Sequence, residues 1–297
     1  MPSPKTVETT YRFYRDNGDA MAFRLTFDAK DLTLITESDR DFPDWTKLGY
    51  CQCPHCPLSK AEYAQCPVAA NLVEVTDMFK EGIASEEVEV IVETPNRTYA
   101  KRAPLANGLS AMIGFINVTS GCPVLDKLRP LAYVHLPFTD MTEVVFRAMS
   151  MYLLAQFFVK HKGGVPDWDL KNFPELFEDI NLLNENFSMR LEAAVSKDAS
   201  LNALTKLDCF ASFAAMSVEP EHLGSLENMF KAYYRNMEQA SVQDFGQQSL
   251  TPSGSFQTSD LAMQDPADDF LSDLAGAIRF SDGDDDSEAL DLDLDDD

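Results

Sequence analysis

The chain has 297 residues, 45% of them hydrophobic, and a formal charge of −25. That length suits one large domain or two smaller ones. An acidic surface of this strength repels phosphate backbones and anionic headgroups, which excludes general nucleic-acid binding and anionic membrane binding. The charge is uneven: residues 259–297 hold 15 of the 49 acids and one of the 24 bases, leaving the rest with 34 acids and 23 bases, or −11.

The opening Met1-Pro2-Ser3-Pro4-Lys5 has no apolar core of signal-peptide length, so the expected compartment is the cytoplasm. Residues 9–36 alternate like strands, with Asn17-Gly18 as a hairpin turn and 31–36 as a third strand. Val68, Leu72, Val75, Met78 and Phe79 then keep helical spacing up to Gly82. A second hairpin is predicted from 88–92 and 97–100 around Pro95-Asn96. From Leu105 onward the pattern is helical. Leu109, Met112, Ile113 and Ile116 form a stripe ending at Gly121, and Asp140 with Glu143 predicts a capping box. The helix it opens is apolar on most sides through Phe158, which predicts a central, buried element rather than a membrane span. Further helices are predicted over 171–196, 200–217 and 221–238.

The expected fold is therefore α+β: an antiparallel β-rich part (1–104) packed on a mainly helical part (105–239). A disordered acidic tail (240–297) follows, too polar to offset chain entropy by burial. Within the tail, Phe270, Leu274 and Ile278 share one helical face of 269–280, the pattern of a segment that folds on a protein partner.

The chemistry-bearing residues are thiols. Cys51, Cys53, Cys56 and Cys66 fall within sixteen positions, and Cys53, Cys56, Cys66 and Cys122 are each followed by proline. Proline suits the first position of a helix, which leaves the preceding cysteine at the N-cap, where free N–H groups and the helix dipole favour a thiolate. Several such thiolates aimed at one place require a cation. In a reducing cytoplasm clustered cysteines are metal ligands or redox groups before they are disulfides. Cys53-x2-Cys56 has zinc-knuckle spacing, Cys66 and Cys122 complete a set of four, and Cys51, His55 and His135 are reserve ligands. Zinc is the simplest occupant, with an iron–sulfur cluster as the alternative on the same thiolates. Cys209 falls on an apolar helical stripe and is expected in the core. The nucleotide-loop, dinucleotide, zinc-protease and nucleophile-elbow signatures are all missing, so the sequence assigns no reaction.

Two resemblances follow from these motifs. Cys53-Pro54-His55-Cys56 is identical to the motif of DsbA-type thioredoxin-fold oxidoreductases, which implies Cys53 as nucleophile and Cys56 as resolving thiol. Lys47-Leu48-Gly49-Tyr50-Cys51 departs from that family's hydrophobic strand lead-in, and Pro57 directly follows Cys56. The segments around Cys51–Cys66, Thr119-Ser120-Gly121-Cys122-Pro123, His135-Leu136-Pro137-Phe138 and 150–156 resemble an uncharacterised bacterial family over roughly residues 20–165. That likeness implies a bacterial cytoplasmic protein and no mechanism.

Overall fold

Residues 5–36, 41–217 and 220–234 are described by a computed structural model. The acidic segment with Phe270, Leu274 and Ile278 lies outside the described residues.

β1 (Thr6–Arg15) and β2 (Ala20–Asp28) form the first hairpin, with Gly18 supplying the positive φ of +90° that the turn requires. The expected third strand shortens to β3 (Leu34–Ile35), because the chain first turns through Leu32 at φ +59°. After helix α1 (Pro67–Phe79), β4 (Glu87–Thr94) and β5 (Arg97–Pro104) form the second hairpin. The sheet is antiparallel in the order β3-β2-β1-β4-β5. Alternation turns Tyr11 and Phe13, Phe23, Leu25 and Phe27, and Val88, Val90 and Val92 to one face.

That face is covered by α1 and by α2 (Leu105–Thr119). Phe79 packs edge-on to Phe13 with centroids 5.1 Å apart, and Phe115 lies 4.8 Å from Phe27. α2 approaches the sheet closely at Gly108, where a Cβ would come within 2.7 Å of Phe13 and 2.8 Å of Val90. A 3₁₀ turn (Leu125–Leu128) and the short α3 (Pro130–Tyr133) follow, then α4 (Met141–His161), α5 (Phe173–Glu192), α6 (Ala199–Met216) and α7 (Pro220–Glu227). The sheet, α1, α2, α5 and α6 share one apolar core.

α4 opens with the expected capping box: the Glu143 N–H donates to Asp140 Oδ1 and the Asp140 N–H to Glu143 Oε2. Its position corrects the sequence reading. The helix is peripheral, with Val145, Ala148 and Tyr152 buried while Leu154 and Phe158 are 56% and 51% exposed. By length and composition it is apolar enough to cross a membrane. The central helix is instead α2, which has 11 of its 15 residues buried. Cys209, expected in the core, is exposed on α6.

Replacing Gly108 with alanine forces either the Phe13 ring or the Val90 side chain to move. We expect Gly108→Ala to cost about 1–3 kcal/mol in urea denaturation, without loss of the secondary structure seen by circular dichroism.

Candidate functional site

Between α1 and the sheet's short edge strand, the segment from Lys47 to Gln65 contains no helix and no strand longer than a single bridge. Its two ends are tied together. Lys47 pairs with Gln65, the Leu48 N–H donates to Ala64 O at 3.0 Å, and the Cys66 N–H donates to Thr46 O at 2.8 Å. Inside the loop, Cys56 N–H closes a turn on Cys53 O at 3.0 Å, and Gln52 Nε2 donates to Leu58 O at 3.1 Å. A loop of this length without regular structure needs something other than backbone pairing to fix it.

Part of that fixing comes from Arg190, which the sequence reading missed. Arg190 is 2% exposed. Its Nη1 donates to Trp45 O at 2.6 Å and Lys47 O at 2.7 Å, and Nη2 to Leu48 O at 3.4 Å. Its guanidinium also lies 5.9 Å from the Tyr50 ring centroid. Among the described residues no carboxylate lies within ion-pair distance of it. The signal was present in the sequence: Phe173, Leu176, Phe177, Ile180, Leu183, Phe187 and Leu191 define the buried stripe of α5, and Arg190 sits on that stripe.

Directly beside Arg190 is a small cavity of about 20 Å³, walled by Cys53, Cys56, Cys66 and Cys122 together with apolar Leu58, Val124, Leu183 and Phe187. One water-sized or ion-sized occupant fills such a volume. Cys66 is the N-cap of α1, with Pro67 at its first position, as the Cys-Pro step predicts. Cys122 is buried after the turn at Gly121 (φ +83°) and faces the N–H groups of Val124 and Leu125. The fold thus brings Cys122 from the end of α2 to the three cysteines of the loop. All six cysteines are free thiols.

The remaining expected ligands do not reach this cavity wall. Cys51 lies on the same loop at φ +44°, and His55 keeps both ring nitrogens buried without hydrogen-bond partners. His135 is on the far side of α2, stacked on Phe115 at 4.0 Å and sharing a hydrogen bond with the Tyr11 hydroxyl. Arg129, which follows Cys122 in sequence, pairs with Asp126 and not with a thiol.

Burial dominates the electrostatics of Cys53 and Cys122, opposite to the lowering expected from the Cys-Pro step. Desolvation, then the charges of Cys66, Cys122 and Cys56, push Cys53 up to about 12, against an opposing pull from Arg190. Cys122 is also raised by burial, although the Leu125 and Val124 N–H groups pull it down. Four sulfurs bound to one zinc at about 2.3 Å stand roughly 3.8 Å from each other. Among the described residues no three Cys, His, Asp or Glu side chains are already gathered tightly enough to hold a metal ion. The thiols line one cavity, and side-chain rotation is what would close them on an ion.

A family model described as a domain of unknown function, DUF6901, matches residues 9–231. The chain belongs to this family. The match extends beyond the segments whose motifs suggested an uncharacterised family, and includes α5 and Arg190 as well as all four cavity cysteines. No curated protein and no solved structure matches the chain. The Cys53–Cys56 pair lies in an irregular loop beside an all-antiparallel sheet, not at the start of the long helix that the oxidoreductase likeness implies.

Two outcomes test this geometry. Arg190→Lys keeps the charge but cannot fork across the carbonyls, and it should lower stability in urea by about 2 kcal/mol or more. His135 gives a pH signature. Burial, helped by the charge of Arg147, lowers it from 6.5 to about 3, so the unfolded chain takes up a proton that the folded chain refuses. Stability is then lost as pH falls from 6.5 towards 3, at up to about 1.4 kcal/mol per pH unit. In His135→Gln, urea midpoints measured across that window should flatten.

Proposed function

We propose that the protein is a zinc-binding protein in which Cys53, Cys56, Cys66 and Cys122 hold one ion, and that the ion fastens the Lys47–Gln65 loop to the helical body. The observation that carries this reading is the pairing of four thiols around one ion-sized cavity with a buried arginine that has no carboxylate partner. A buried cation is costly unless a negative charge lies near it. Four thiolates on a divalent ion carry a net charge of about −2, and Arg190 offsets part of it. The desolvation and neighbouring thiolate charge that raise Cys53 and Cys122 are offset when a divalent cation sits among the sulfurs. The group supplies cross-linking, not reaction chemistry: four thiolates fill a tetrahedral zinc and leave no open position for a substrate. The role is therefore structural or regulatory.

The redox alternative loses ground on the same observations. A nucleophilic thiol needs a lowered pKa and access to solvent, whereas Cys53 is half-buried and raised.

Anaerobic purification followed by elemental analysis tests the proposal. About one zinc per chain is expected in fresh protein, falling sharply in Cys122→Ser, with a loss of thermal stability on chelation. Less than about half an equivalent of any transition metal in the unaltered protein overturns it. A brown protein with an iron and sulfide content moves the assignment to an iron–sulfur cluster.

A further inference from the structure

On the face of α2 away from the thiol loop lies a much larger cavity, of about 520 Å³. Its size is that of a small-molecule site, roughly 300–1,000 Å³. Ala111, Gly114, Val118, Leu128, Ile180 and Phe210 make up much of an apolar wall. Among its polar groups, Arg147 is committed to the carbonyls of Leu131 and Val134, and two further sets stand out.

At one end stand Lys101 and Lys206. Lys206 Nζ donates to Asn107 Oδ1 at 2.9 Å and lies over the Phe210 ring, and Lys101 lies over the Phe138 ring. Among the described residues neither ammonium is within ion-pair distance of a carboxylate. Asp140 also lines the cavity, but its carboxylate is spent on the Glu143 N–H that caps α4. Burial and the neighbouring Lys101 charge both push Lys206 below the usual lysine range. Two cations side by side on a half-buried wall of an otherwise acidic chain form a site for an anion.

At the other end, Asn117 and Asn184 are each 3% exposed; Asn117 Oδ1 lacks a hydrogen-bond partner, while the Asn184 amide faces the Asp208 carboxylate. An unpaired buried amide oxygen is costly in a finished core. Asn107 and Asn117 are ten residues apart on α2, so the two ends are separated by roughly 15 Å along the helix. Between them the wall is mainly apolar, with Ser110 of α2, His135 and Arg147 also lining the cavity.

We propose that this cavity binds a small amphipathic carboxylate, with its anionic head at Lys101 and Lys206 and its apolar body lying along α2 towards Asn117 and Asn184. The amides hydrogen-bond to a polar atom on that body, or to a water that enters with it.

Calorimetric titration of the full-length chain with dodecanoate, dodecanol and dodecyltrimethylammonium, each below its micellar concentration, tests the assignment. Dodecanoate should bind at one site per chain, about tenfold or more tighter than dodecanol, and the ammonium amphiphile should be rejected. Lys206→Met and Lys101→Met should bring dodecanoate down to the affinity of dodecanol while leaving the thermal midpoint and the dodecanol affinity unchanged. Absence of dodecanoate binding to the unaltered chain overturns the proposal. So does equal binding of the carboxylate and the ammonium compound.

Discussion

The placement of the cysteine loop depends on one guanidinium. Arg190 reaches from α5 to the carbonyls of Trp45, Lys47 and Leu48, where a 3₁₀ turn (Asp44–Thr46) passes into the loop. Only a planar, multi-donor side chain satisfies carbonyls in that arrangement from a single anchor. The hydrogen bonds fix one end of the segment and the pairing at Gln65 and Cys66 fixes the other. What lies between has little apolar surface with which to hold itself. A cross-link at Cys53 and Cys56 is the physical complement to the anchoring at its ends.

The charge on Arg190 matters as much as its shape. Carbonyl dipoles satisfy its donors but do not neutralise it, and the nearest groups able to carry negative charge are the thiols across the cavity. Burial, with the charges of neighbouring thiols, raises Cys53 and Cys122. On the proposed zinc reading, a divalent ion would reverse both effects and tie the state of the loop to metal availability and to pH. α5 also reaches the larger cavity through Phe177, Ile180 and Asn184, about two to four turns before Arg190. One rigid helix therefore lines both sites, and each side chain's role follows from its position on that helix.

Much of the architecture was legible from local pattern. Asn17-Gly18 between alternating residues specified the first hairpin, Asp140 and Glu143 specified the start of α4, and Cys66-Pro67 specified the start of α1. The convergence of Cys122 on the loop was suggested by the repeated Cys-Pro step, since backbone geometry follows from proline directly. Four things were misjudged or overlooked. The depth of α4 was misjudged because apolar content does not say which neighbours are available to cover it. The thiol pKa direction was misjudged because a helix end acts locally, whereas desolvation depends on the whole fold. Arg190 was overlooked because its partners are backbone carbonyls, which leave no trace in side-chain motifs. His135 looked like a ligand for want of any sign that Tyr11 and Phe115 would enclose it.

The central claim is that four cysteines, three from the loop region and one from the end of α2, share a single ion. Zinc-edge X-ray absorption on protein purified without added metal tests that claim most directly. The account predicts a first shell of four sulfurs at about 2.3 Å. A shell that includes nitrogen at about 2.0–2.1 Å would bring His55 in for one of the thiolates, and with a shell dominated by light atoms would contradict the four-cysteine site.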